Sequence, residues 1–248
     1  MSYIVTHRFN SIWAGNILIV TFIAGLSIAN YAMPAIARSD YTAKAPSTRM
    51  NVQEFFNQGV EKTERGDFQG AIQDFNRVLR INPTFIEAYC NRGFARAELG
   101  DYKAAMADFN SALRLDPKHA DAYNKRGTVL AEIGNFREAI AEFDTALRLD
   151  ATFADAYYNR GLAHTELGNA TGAIADYNQA IKHNPVMAEA YGNRGSVRYY
   201  LGDKPGAIAD LQKAAQIFSA QGNTPSSQQA LTFIQKIQQL QVLPSAQP

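Results

Sequence analysis

Glycine returns every 34 residues in two registers: Gly59, Gly93, Gly127, Gly161 and Gly195, and Gly66, Gly100, Gly134, Gly168 and Gly202. Those ten are more than half of the 17 glycines in the 248-residue chain, so chance placement is not credible. Ala71, Ala105, Ala139, Ala173 and Ala207 keep the same step, as do the large apolar residues Phe75, Phe109, Phe143, Tyr177 and Leu211. An aromatic opens each unit (Phe55, Tyr89, Tyr123, Tyr157, Tyr191), and Pro83, Pro117 and Pro185 close three of them. A fixed period of this length marks an array in which each unit is one supersecondary element and stability comes from stacking neighbours.

Each unit reads as a helix, a stop and a second helix. Gly66-Asp67, Gly100-Asp101, Gly134-Asn135, Gly168-Asn169 and Gly202-Asp203 pair a helix-ending glycine with an N-capping residue for the next helix. The first glycine of each unit falls inside the first helix, helix A, where it costs about 1 kcal/mol against alanine. A cost repeated five times implies a packing reason: that glycine and the small alanine of the second helix, helix B, let the paired helices approach closely.

Aromatic, Gly, Ala, aromatic and Pro at these offsets resemble the tetratricopeptide repeat, over five units at 52–85, 86–119, 120–153, 154–187 and 188–221. There are departures. The family's Leu before the first Gly is Gln58 or an Arg, Ala151 replaces one Pro, and Ser219 stands where the fifth Pro would be. The resemblance implies an all-α, right-handed α-solenoid of about five helix-turn-helix repeats. Residues 222–248 then form a capping helix and tail, with Thr224-Pro225 as N-cap and first-turn proline. Its apolar stripe is expected at Leu231, Ile234, Ile237 and Leu240, with Gln235, Gln238 and Gln239 toward water.

Charge is balanced, 24 Lys+Arg against 23 Asp+Glu, which argues against a nucleic-acid partner. The balance hides an uneven start. Residues 1–37 hold one base, Arg8, and no acid; Ile12 to Ile28 is mostly apolar, and Ala35-Ile36-Ala37 offers a small-x-small exit. This pattern fits a secretory signal peptide cleaved near Ala37, and also names a second fate, an uncleaved anchor over 12–34. Either way the chain is expected outside the cytoplasm, in a periplasm or thylakoid lumen or tethered to the membrane. Residues 38–51 are polar and read as a linker.

Catalytic signals are missing. His7, His119, His164 and His183 make no ligand pair, and a lone Cys90 offers no disulfide and no zinc cluster. The glycines form no phosphate-binding loop, because they keep the 34-residue step. No cofactor, no metal and no enzymatic activity are expected.

Two charged series follow the lattice. Arg92, Arg126, Arg160 and Arg194 precede the first Gly, and Asp74, Asp108, Glu142, Asp176 and Asp210 recur in helix B. The spacing lets an Arg of one unit pair with the acid of the preceding unit, and an internal ladder is favoured over an Arg row gripping an acidic peptide.

In tetratricopeptide proteins helix A lines a concave surface. Carried over, the resemblance implies a peptide-binding groove of Phe56, Asn57, Cys90, Asn91, Phe94, Asn124, Lys125, Tyr158, Asn159, Leu162, Asn193, Tyr199 and Tyr200. Its Asn row would hydrogen-bond an extended peptide backbone, and the aromatic and aliphatic groups would anchor side chains. The chaperone-binding subclass grips a carboxylate with Lys and Asn; here those positions hold Phe56/Val60, Cys90/Phe94, Asn124/Thr128 and Tyr158/Leu162, and the second position is acidic (Glu87, Asp121, Asp155, Glu189). No carboxylate-clamp chaperone binding is expected. The expected function is noncatalytic binding of a protein or peptide. The Tyr-x-Asn-Arg-Gly phrasing resembles cyanobacterial repeat proteins, which implies an assembly factor for an envelope or thylakoid complex. A self-assembling structural solenoid and an accessory subunit of an enzyme complex are the alternatives.

Overall fold

The computed structural model describes residues 51–242, and for 240–242 the backbone alone. The segment expected to direct export and nearly all of the expected linker therefore lie outside the described residues, as do the final residues of the tail. Among the described residues there are eleven α-helices and no strand, and the helix A starts, Val52, Ile86, Ala120, Ala154 and Ala188, keep the 34-residue step. None of these helices is long and apolar enough to cross a membrane. The helices fall into two compact units.

The first unit holds α1 (Val52–Glu64), α2 (Phe68–Ile81), α3 (Ile86–Glu98) and α4 (Tyr102–Leu115), each packed on the next. Asn51 caps α1 in a capping box with Glu54, satisfying amides the helix start would leave open. Phe75, Val78, Ala88 and Ala95 are fully buried, and Val52, Phe55, Phe56 and Phe85 pack around them. Asp67 closes the α1–α2 turn by accepting from the Gly70 amide at 2.9 Å.

The second unit holds α5 (Ala120–Glu132), α6 (Phe136–Leu149), α7 (Ala154–Glu166), α8 (Ala170–His183), α9 (Ala188–Tyr200), α10 (Lys204–Ala220) and α11 (Thr224–Val242). Gly168 turns α7 into α8 at φ 73°, a left-handed value that glycine adopts without strain. At Gly161 the need is space: an added Cβ would stand 2.7 Å from Cε1 of Tyr177. In the first four repeats the glycine of helix A therefore packs on the aromatic of helix B, while at Gly195 the nearest atom is the Ala207 carbonyl oxygen. The helix B alanines are fully buried as well. Tyr177 is fully buried; its hydroxyl lies 3.0 Å from the Thr165 hydroxyl, and burial raises its pKa. The Gly-Asn pair at 134–135 departs from expectation, since the Asn135 side chain makes no capping bond while Asn169 does.

The end of the array changes its turn. Without the fifth proline α10 runs 17 residues where α8 has 14, and it stops at Gly222, φ 75°. The cap of α11 is Asn223, which accepts from the Ser226 amide at 3.2 Å, so Thr224 and Pro225 sit inside the helix and Thr224 is not the N-cap. A Gly-Asn turn of the kind used inside a repeat thus replaces the proline turn used between repeats. The buried stripe is Ala230, Phe233, Ile234 and Ile237, set against Ala214, Ala215 and Phe218. Leu231 is 41% exposed, because a stripe on a 3.6-residue helix advances by three and four residues in alternation. Gln235, Gln238 and Gln239 face solvent, and the Leu240 side chain lies outside the described residues.

Candidate peptide-binding face

Burial removes four candidates from the surface. Cys90 is 4% exposed, Asn124 7%, Tyr158 6% and Asn193 2%, so these cannot line a groove as the sequence suggested. The polar atoms of three of them join one repeat to the next. Asn193 donates to the Tyr158 hydroxyl at 2.9 Å, and Asn159 donates to Asn124 at 3.0 Å, each across 35 residues. The asparagine of one helix A thereby meets the residue one place earlier in the preceding helix A, so Asn159 and Asn193 each direct a side-chain amide donor to the neighbouring repeat.

Other candidates are partly committed to packing. In the first unit Phe56 lies 5.0 Å from the Phe85 ring and 5.8 Å from Phe75. Phe94 sets its edge against Phe68 at 6.3 Å. Asn57 is exposed and accepts from Gln53, and Asn91 donates to the Glu87 carbonyl in its own helix. In the second unit Leu162 packs half-buried beside Tyr158, and Tyr199 meets Phe233 of the cap edge-on at 5.4 Å. Lys125 holds Asp121 at 2.6 Å. Tyr200 is 57% exposed.

The second position of helix A supplies what the sequence reading left out of the site. Asp121, Asp155 and Glu189 start α5, α7 and α9, where a carboxylate complements the helix dipole. Desolvation raises the pKa of Asp155, Lys125 opposes that rise and Asp121 adds to it. Desolvation likewise raises Glu189, with Asp155 adding to the effect. Asp155 is nevertheless solvent-exposed. Its carboxylate is thus reachable from water while neighbouring protein displaces part of its hydration.

The arginine series is internal. Arg92 grips Asp108 with Nε at 3.0 Å and Nη2 at 2.6 Å, while Nη1 reaches Asn76 at 2.6 Å. Arg160 holds Asp176 in the same way and sends Nη1 to Asp144 at 2.5 Å; Arg194 holds Asp210 and reaches Asn178. The acid gripped by two nitrogens thus belongs to the same repeat, and only the third contact reaches the preceding one, which corrects the expected order. Each guanidinium also lies 5.3–5.5 Å over a tyrosine ring: Tyr89, Tyr123, Tyr157 or Tyr191. Bonding to Asp176 raises the Arg160 pKa further, so its charge is permanent. A second cation completes two of these clamps: Arg96 on Asp108 and Arg198 on Asp210, both at 2.8 Å. Leu130 occupies that place in the third repeat, where the longer Glu142 answers Arg126 at 2.7 Å.

Tetratricopeptide repeat profiles match residues 63–123, 109–141, 127–168 and 154–185. Residues 63–185 are tetratricopeptide repeats. Solved structures also resemble the chain. A crystal structure of MamA is 28% identical, aligns 66% of this chain with 96% of its own, and gives a TM-score of 0.57. MamA from Desulfovibrio magneticus RS-1 is 24% identical over 68% and 96%, with a TM-score of 0.58. A thermophilic TPR protein from Thermus thermophilus, TTC0263, is 19% identical over 75% and 98%, with a TM-score of 0.63. The last two likenesses bear on the fold alone. No curated protein matches the sequence.

Proposed function

We propose that the chain is a noncatalytic scaffold that binds an extended protein segment carrying Lys or Arg against helices α5, α7 and α9. The observation that carries this reading is Asp155, exposed yet desolvated and coupled to Asp121 and Glu189. A cation placed beside these carboxylates relieves their mutual repulsion where water is already partly excluded. Lys125, half-buried Asn159 and Leu162 give the same helices polar and apolar contacts. The absent carboxylate clamp and the acidic second position both disfavour an acidic chain end.

The same reading has this scaffold act outside the cytoplasm, as an assembly factor at an envelope or thylakoid membrane, on the strength of the uncharged run from Phe9 to Ala37. N-terminal sequencing of the protein from its host distinguishes a chain beginning at Arg38 from one beginning at Met1; a cytosolic full-length chain overturns the export reading.

Binding is tested with the full-length chain and fluorescent peptides of equal length rich in Lys, Glu or Ser. The Lys peptide should bind best, and Asp121→Asn with Asp155→Asn should weaken it at unchanged helicity. Equal binding of the Glu peptide, or no loss in the double variant, overturns the reading.

A further inference from the structure

The junction of α2 with α3 carries an opening of about 650 Å³ that the peptide-binding reading does not use. Gln73, Asn76, Arg77, Arg80, Tyr89 and Arg92 line it, and no carboxylate does. The carboxylates beneath are already shared. Lys62 and Arg77 hold Asp74, at 2.5 and 2.9 Å, and Arg92 and Arg96 hold Asp108, at 2.6 and 2.8 Å. Asp74 is fully buried and Asp108 is 2% exposed, so neither reaches the opening. Arg80 is exposed and has no carboxylate partner among the described residues. The Asn76 oxygen accepts from Arg92, which leaves the Asn76 amide nitrogen as a donor.

The repeat supplies its own control. Sixty-eight residues on, at the α6–α7 junction, the same positions hold Ala141, Asp144, Thr145, Arg148, Tyr157 and Arg160. There Asp144 answers Arg160 at 2.5 Å, so that junction carries its own anion. At the α8–α9 junction Asn178 recurs, but Gln179 stands in place of Arg77 and Lys182 in place of Arg80. Among these three junctions, only α2–α3 combines three guanidinium groups with no acid at the opening.

We propose that this opening binds a phosphate group. Three guanidinium groups with amide and phenol donors offer a doubly charged oxyanion more hydrogen bonds than one carboxylate can use, and guanidinium geometry suits phosphate oxygens. The phosphate replaces, from outside, the anion that Asp144 supplies within the chain.

The test is titration of the full-length chain with inorganic phosphate at constant ionic strength, following the ¹⁵N-labelled arginine Nε–H signals. Saturable shifts at Arg77 and Arg80 are expected, with none from chloride. Asn76→Asp, which copies the α6–α7 arrangement, should weaken binding about tenfold. Arg80→Gln lies on an exposed side chain and should do the same without unfolding. Shifts no larger than those from chloride, or full affinity in both variants, overturn the proposal. A phosphoserine peptide that binds more tightly than inorganic phosphate, while its serine counterpart does not bind, supports the site with a phosphorylated partner as source; equal affinity supports it with a free phosphate as source.

Discussion

Asn193 donates its side-chain amide to the hydroxyl of Tyr158, 35 residues earlier, at 2.9 Å, with the two residues 2% and 6% exposed. This bond joins α9 to α7 without passing through a helix B. It makes the junction specific: a register slip would lose a hydrogen bond between two buried polar groups. Tyr158→Phe should therefore destabilise the chain by about 0.5–1.5 kcal/mol, the net contribution of one hydrogen bond. Chemical denaturation checks this, and the double variant with Asn193→Leu should recover part of the loss.

The acid clamps differ in depth, and their mutational costs should follow. Asp176 is 4% exposed and held by two nitrogens of Arg160, so Asp176→Ala leaves a partly buried guanidinium without its main partner. A loss of about 3 kcal/mol is expected. Glu142 is more open and lacks a second cation opposite it, because Leu130 fills that place. Glu142→Ala should cost clearly less, and equal losses in urea denaturation would contradict the clamp account.

Gly161 and Gly195 share a sequence position but not an environment. A Cβ at Gly161 would stand 2.7 Å from the buried Tyr177 ring; at Gly195 the nearest atoms are the Ala207 carbonyl and Asp210 and Leu211 carbons at 3.1–3.2 Å. Alanine gains about 1 kcal/mol of helix propensity at either site. Gly161→Ala should nevertheless lower Tm, and Gly161→Leu should lower it further, while Gly195→Ala falls less. An unchanged Tm for Gly161→Leu would show that the ring does not need the space.

Much of this fold is legible in the sequence, and the reason is the period. Five copies of one pattern average out local ambiguity, so helix A starts at Val52, Ile86, Ala120, Ala154 and Ala188 follow from the lattice. Pairing is less legible. Arg160 lies 16 residues before Asp176 and 18 after Glu142, and sequence distance alone does not choose; the tight hairpin closed at Gly168 does. The candidate site is the least legible part. Carrying over helix A positions assumes that they face a ligand, but Tyr158 and Asn193 are long enough to bond each other and bury themselves. Asp155 is visible on the same lattice, but its desolvation depends on α5 and α9 standing beside it.

The carboxylates of α7 and α9 make a pH prediction. Asp155 and Glu189 have pKa values raised above 3.8 and 4.5, so the folded chain holds protons there that the unfolded chain has released. Between the unfolded and folded values the native state binds more protons, and stability contributed by these groups rises as pH falls. Asp150 works in the opposite sense: hydrogen bonds from Thr152 lower its pKa, and its contribution is lost as pH falls through 3.8 and below. Asp155→Asn and Glu189→Gln should each stabilise the chain at about pH 7, and that advantage should shrink as pH drops toward about 4 and the wild-type carboxyls take up protons. Melting curves across that range check the sign. A Lys-rich peptide should show the complementary trend, binding more weakly as these carboxylates are protonated; an advantage of Asp155→Asn that does not change across this range would mean that Asp155 carries no desolvated charge.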